Sequence, residues 1–167
     1  RTSMFQTIVL AYDGSAECRD ALADGIALTT RFNACCKLLA VVPPMNSMAI
    51  ASGYMPEGLL DSDQAHYNGL LEEGVSRLRQ AGVQATGTLK TWEDPSQAIG
   101  AFAQETGADL VVIGHHRRST LERWWRGSVG HHLLDHLPCS LLVSMHDDAA
   151  KRAVAGTQLL YFGRRFY

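Results

Sequence analysis

The chain has no uninterrupted apolar run approaching the roughly 18 residues that a membrane-spanning helix needs, and its start lacks the charged, apolar and small-residue succession of a secretion signal. A cytoplasmic protein without a membrane partner is expected. Met4 reads as an initiator, so Arg1, Thr2 and Ser3 are expected to be foreign to the natural chain. Only four cysteines occur, Cys18, Cys35, Cys36 and Cys139, without a C-x-x-C pair or a zinc-like spacing. That excludes a disulfide framework and points to reduced, buried thiols. Adjacent Cys35 and Cys36 would face opposite sides of an extended segment and could bridge only with strain. Neither charge dominates: 15 Lys and Arg stand against 17 Asp and Glu, with a formal net charge of −2 and a pI near 6.4. Nucleic acid is therefore not an expected partner, since it requires a basic surface. No G-x-S-x-G, no P-loop lysine motif and no H-E-x-x-H is present. His132 and His136 share a helical face with His131 beside them, but a third ligand is missing, so no metal site is expected. With no catalytic constellation in sight, an enzyme is not expected, and any ATP turnover would be slow.

What is present is enough for one domain, 167 residues of which 46% are hydrophobic. Thr7 to Ala11 (TIVLA) and Lys37 to Val42 (KLLAVV) read as buried strands, the second stopped by Pro43 and Pro44. Between them, Ala16 to about Phe32 carries apolar residues on one helical face, with Ser15 placed to cap it. Asn46 to Met55 shows no period and reads as a loop. Leu59 to Ala81 reads as a long helix ended by Gly82 and weakened by Gly69 and Gly74. Val83 to Thr91 follows as a third strand. Pro95 suits the first turn of a helix that Gly107 closes, and Trp92 reads as a lid on that helix. Alternating strands and helices predict a mainly parallel sheet with helices on both faces.

The most informative stretch is Asp109 to Val143. A short apolar run, Leu110 to Ile113, is broken by Gly114; a basic loop, His115-His116-Arg117-Arg118, follows; then Gly127-Ser128 opens a helix from about Val129 to Leu137; Pro138 stops it before a last run, Leu141 to Val143. Small residues at such turns let backbone N–H groups approach an anion, and a helix start offers unpaired donors and about half a unit of positive charge. Phosphate is the expected ligand, although a simple N-cap at Ser128 would use the same letters. Asp13, at the carboxyl end of the first strand, is either a ligand contact or a turn residue bonding nearby N–H groups.

Together, TIVLAYDGS at Thr7 to Ser15 and the spacing of Gly114, Gly127 and Ser128 resemble the universal stress protein family, whose nucleotide-binding members carry G-x-x-G-x9-G-[ST] after the fourth strand. The second motif glycine is replaced here by Arg117. The resemblance spans roughly Met4 to Met145 and implies a Rossmann-like, doubly wound α/β fold with a mainly parallel five-stranded sheet in the order 3-2-1-4-5. It implies ATP or another adenine nucleotide, with Mg as the accompanying ion, bound by Ala11, Tyr12, Asp13, Val41, Ile113, Gly114, His116, Arg117, Gly127, Ser128, Val129 and Gly130. It also implies a homodimer through the last strand, Ser140 to Ser144. The expected role is a dimeric stress or regulatory sensor. Two alternatives stand beside it: a nucleotide-free interaction module with Arg117 in the phosphate site and an unknown protein partner, and a hydrolase of small phosphorylated ligands. The domain is expected over 4–145, leaving 146–167 as an extension of unknown role, without a further strand or helix and too apolar for a comfortable free tail.

Overall fold

The computed structural model describes residues 3–42, 44, 59–116, 128–146 and 158–162. The elements run β1 (Thr7–Ala11), α1 (Ala16–Phe32), β2 (Cys35–Val42), α2 (Leu59–Gln80), β3 (Ala85–Thr91), α3 (Pro95–Thr106), β4 (Leu110–His116), α4 (Ser128–His136), β5 (Ser140–His146) and β6 (Gln158–Phe162). The sheet order is β3-β2-β1-β4-β5-β6, parallel throughout except for the antiparallel β5–β6 pair. The expected 3-2-1-4-5 arrangement is present.

Side-chain alternation along the strands divides the core in two. Ile8, Leu10, Cys36, Leu38, Ala40, Leu110 and Val112 face one side, where α1 and α2 bring Leu22, Leu71, Val75 and Leu78. Val9, Leu39, Val111, Ile113, Leu141 and Val143 face the other, against Ile99, Phe102 and Ala103 of α3 and Leu133 and Leu137 of α4. Burial on both faces is why these strands read as continuous apolar runs. Helix ends follow local chemistry. Ser15 caps α1 by accepting from the Cys18 N–H, while Asn33 and Gly107 close α1 and α3 in the left-handed conformation. Gly74 has a packing reason to interrupt α2: a Cβ there would stand 2.4 Å from Leu38 Cδ2, so its absence lets the helix lie close over β2.

Three departures from the sequence reading matter. First, β4 does not break at Gly114 but continues to His116, because Gly114, His115 and His116 pair with Ser144, Met145 and His146 of β5. Second, a strand does follow Asp147: β6 pairs Gln158–Phe162 against Leu141–Met145. Consequently Ser140 to Ser144 is not an open edge for a dimer; its outer side is already occupied. Third, Trp92 is 40% exposed at the end of β3, with its N–H donating to the Val42 carbonyl at 3.0 Å.

At the base of the sheet, Asp109 ties β1 to β4. Its Oδ2 accepts from the Gln6 and Thr7 N–H groups at 2.7 and 2.9 Å, and its own N–H donates to the Thr7 carbonyl at 2.9 Å. β1 and β4 are thereby fixed side by side. This is where the strand order reverses, and open α/β sheets bind ligands beyond the carboxyl ends of such strands.

Candidate functional site

The crevice at that reversal exists because the strands have unequal lengths. β1 ends at Ala11, whereas β2 continues to Val42 and β4 to His116. The space left above β1 is a cleft of about 320 Å³ lined by Ala11, Tyr12, Asp13, Cys18, Leu39, Val41, Tyr67, Pro95, Ile99, Ile113, Gly114 and Leu133. Wider grooves of about 820 and 660 Å³ run along α2 and β3. They lie at the sheet's β3 edge, away from the reversal.

The backbone of β2 supplies the cleft's clearest hydrogen-bonding edge. In a parallel pair, one residue presents its N–H and C=O to the same neighbour and the next residue presents both to the other side. The Cys35 N–H donates to Gln6 O at 2.9 Å, and Leu39 O accepts from the Tyr12 N–H at 2.8 Å, so odd residues of β2 face β1. Cys36 donates to Gln84 O and Val42 accepts from Trp92, so even residues face β3. Val41 comes next on the β1 side, but β1 has ended and no ladder bond forms there among the described residues. Its N–H and C=O face the cleft. Its side chain meanwhile packs, half-buried, against the α3 and α4 core.

Across the cleft, Asp13 begins the turn into α1. Its Oδ1 accepts from the Ser15 N–H at 2.8 Å. The turn requires Gly14 at φ +78°, where a Cβ would also meet Leu70 Cδ2 at 2.6 Å. Partial desolvation pushes the Asp13 carboxyl up, but hydrogen bonds from Ser15 and Cys18 outweigh it and leave the group below the ordinary carboxylate value. Asp13 is therefore an anion at neutral pH and an acceptor only. Burial pushes the neighbouring Cys18 thiol up to about 11; a hydrogen bond with Ser15 works against this and the Asp13 charge adds to it. Cys18 is thus held as a thiol rather than a nucleophilic thiolate.

The remaining wall comes from helices. Asp94 caps α3 by accepting from the Ser96 N–H at 2.8 Å and the Ser96 hydroxyl at 2.6 Å, which sets Pro95 and Ile99 along the cleft. α4 contributes Leu133. Ser128 opens that helix five residues earlier, so its unpaired first-turn donors lie about 7–8 Å of helical rise from the apolar wall.

The sequence pattern of the Universal stress protein family matches residues 4–144. The chain belongs to the universal stress protein family. A Staphylococcus epidermidis protein carrying that family's name is 27% identical over 141 residues, covering 83% of each chain. Among solved structures, a universal stress protein family member from Burkholderia pseudomallei is 27% identical with a TM-score of 0.69, covering 86% of this chain and 98% of that one. An Arabidopsis thaliana member of the universal stress protein family, solved with AMP bound, is 20% identical with a TM-score of 0.63, covering 89% of this chain and 97% of that one. At that identity the likeness is one of fold.

In this universal stress protein fold, Ala11, Tyr12, Asp13, Val41, Ile113 and Gly114 converge on the single cleft. Ser128, Val129 and Gly130 form the first turn of α4, with Gly130 buried. His116 ends β4 opposite His146. Arg117 and Gly127 lie outside the described residues. Sequence reasoning missed Cys18, Leu39, Tyr67, Pro95, Ile99 and Leu133. Spacing could not have singled out Tyr67, which falls four residues before Leu71 on the helical stripe that continues to Val75 and Leu78 and so reads as core. Away from the cleft, the His132 and His136 rings stack at 4.2 Å and His131 pairs with Asp135 at 3.2 Å. No group of three metal-ligating side chains occurs among the described residues. No described helix is long and apolar enough to cross a membrane.

Proposed function

We propose that this protein is a stress-response or regulatory sensor that binds an adenine nucleotide (ATP, ADP or AMP) in the cleft above β1. The observation that carries this reading is Val41, whose N–H and C=O face the cleft where β1 has ended. One donor and one acceptor on the same strand residue complement the ring nitrogen and amino group of adenine. Guanine presents a carbonyl where adenine has its amino group, which would set an acceptor against the Val41 carbonyl. Leu39, Ile99, Ile113 and Leu133 provide apolar surface for the base. Asp13, ionised and acceptor-only, suits ribose hydroxyls. At about 320 Å³, the cleft falls at the small end of the roughly 300–1,000 Å³ typical of ligand sites. This favours a bound nucleoside with its phosphates directed out toward the first turn of α4, where the N–H groups of Ser128 to Gly130 and the partial positive charge would receive them. Mg would accompany the phosphates of ATP. The AMP complex of the Arabidopsis relative supports the same ligand class.

Nothing in the cleft calls for catalysis. Among the described residues its lining holds one carboxylate, no base beside a nucleophile, and a thiol held protonated, an arrangement for sensing rather than turnover. The described cysteines are all free, which suits a reducing, cytoplasmic setting. The dimeric form of the sensor belongs to the same reading, with two copies meeting at a sheet edge.

The test is calorimetric titration of nucleotide-freed protein with ATP and Mg, AMP and GTP. Micromolar binding of the adenine nucleotides, with GTP weaker by about tenfold or more, is the expected result. Equal affinity for GTP would overturn the base readout, and absence of binding would leave an interaction module.

A further inference from the structure

Among the described residues, Tyr67 is what α2 contributes to the cleft lining. Its height on the helix follows from how α2 packs. The helix covers β2 and β3 and runs antiparallel to them, with Arg79 near its end bonding the Ala85 carbonyl at the start of β3. A Cβ on Gly87 would stand 3.1 Å from Val75 Cγ2 and 3.4 Å from Leu71 Cβ, which sets the level of the helix against the strand. Lys90, three residues further along β3, is the register partner of Val41. Three strand residues rise about 10 Å, the length of about six or seven helical residues. Counted back from between Val75 and Leu71, α2 therefore reaches the level of Val41 at His66 and Tyr67. Of the two, His66 is exposed, whereas Tyr67 is half-buried and packs against the α1 and α2 core.

The two sides of the cleft are not alike. The Val41 N–H and C=O lie in the plane of the sheet and point to where β1 would have continued. A planar base that bonds both groups lies near that plane and turns one face to each side of the sheet. On the α3 and α4 side it meets aliphatic surface from Pro95, Ile99 and Leu133. On the other side the apolar lining is Tyr12, Cys18 and Tyr67. Tyr12 and Cys18 are almost wholly buried, so the aromatic surface open to a ligand there is that of Tyr67. Two contacts fix its position: Leu70, next to it on α2, is packed against Gly14 in the Asp13 turn, and the His66 and Tyr67 rings meet in a T-shape at 5.7 Å and 72°.

We propose that Tyr67 is a base-stacking residue that closes the α2 side of the cleft over the heteroaromatic base of a bound nucleotide. The inference rests on the nucleotide reading of the cleft and adds a second level of selection to it. Stacking is indifferent to base identity, because every base has a π face. Val41 thus distinguishes one base from another, and Tyr67 distinguishes ligands that carry a base from phosphorylated ligands that do not.

The test compares wild-type protein with Tyr67→Phe, Tyr67→Leu and Tyr67→Ala, using AMP and ribose 5-phosphate as probes in calorimetric titration and following the AMP H2 and H8 proton resonances on binding. Tyr67→Ala should weaken AMP by about 5- to 100-fold, the range of base–aromatic stacking, and leave ribose 5-phosphate unchanged. Tyr67→Phe, which keeps the ring, should bind AMP as the wild type does. Bound H2 and H8 should move upfield under the ring in the wild-type and Phe proteins and lose that shift in the Leu and Ala proteins. Tyr67→Leu keeps apolar volume against the core and carries the test if Tyr67→Ala does not fold. Folded Leu or Ala variants that bind AMP as tightly as the wild type, or that retain the upfield shifts, would overturn the stacking role and leave the nucleotide reading standing. Equal loss of AMP and ribose 5-phosphate would also overturn it, since the residue would then only maintain the shape of the cleft. A wild-type protein that binds no adenine nucleotide would overturn both.

Discussion

Replacing Val41 with proline separates the ligand edge of β2 from its structural edge. The Val41 N–H faces the cleft and makes no ladder bond among the described residues, while the N–H groups of even residues face β3. Proline at 41 thus removes a donor that the sheet does not use, and Ala40, already extended, is compatible with a following proline. Valine and proline side chains are similar in carbon content, so the half-buried contact with the α3 and α4 core changes little. The ligand-free stability should fall by less than about 1 kcal/mol, or about 2–4 °C in Tm for a domain of this size. Adenine binding should suffer more. Leaving a base nitrogen desolvated without its donor costs about 1–3 kcal/mol, which at 1.4 kcal/mol per decade is about 5- to 100-fold in Kd. Ala40→Pro provides the contrast: its N–H belongs to the β3 side, at a fully buried position, so it should lower Tm markedly. Calorimetric titration with ATP and thermal denaturation of both variants make the measurement. Unchanged ATP affinity in a well-folded Val41→Pro protein would refute the base readout. A Tm loss equal to that of Ala40→Pro would refute the assignment of strand faces.

The buried Tyr12 hydroxyl has no hydrogen-bond partner among the described residues, so Tyr12→Phe should raise stability by about 1 kcal/mol; a lower midpoint in urea would show that the hydroxyl is satisfied. Asp94→Ala should cost about 1 kcal/mol at neutral pH through loss of the α3 cap. Hydrogen bonds from Ser96 lead the lowering of the Asp94 carboxyl; its contribution is therefore complete above the unfolded value of about 3.9 and lost as pH falls through the folded one. The two proteins should draw together only as pH falls below about 3.9 and through the lowered folded value, and a gap undiminished below that value would sink the account. Burial pushes the Cys36 thiol up to about 12, with Cys35 adding, and Cys18 stands near 11, so iodoacetamide at mildly alkaline pH should label the half-exposed Cys35 and Cys139 first. Peptide mapping that finds Cys18 or Cys36 labelled first in native protein would contradict their burial.

How far the letters revealed this molecule depended on whether a feature is local. β1, β2 and the start of β4 were legible because strands buried on both faces are apolar at nearly every position, while Ser15 marked a helix start through its capping side chain and Gly82 and Gly107 marked helix ends through their left-handed backbone. The continuation of β4 past Gly114 was not legible, since what extends it is pairing with Ser144 to His146, some thirty residues away. β6 was hidden for the same reason: its partner, not its composition, makes it a strand. The cleft shows the limit most clearly. Asp13, Val41 and Gly114 could be named from strand ends, but Ile99, Leu133 and Tyr67 carry the same residue types, at the same helical spacing, as neighbours that fill the core. What turns apolar packing surface into ligand surface is that β1 stops at Ala11 while β2 and β4 continue to Val42 and His116. That difference in length belongs to no single segment, and it leaves the Val41 backbone facing a space that β1 does not fill.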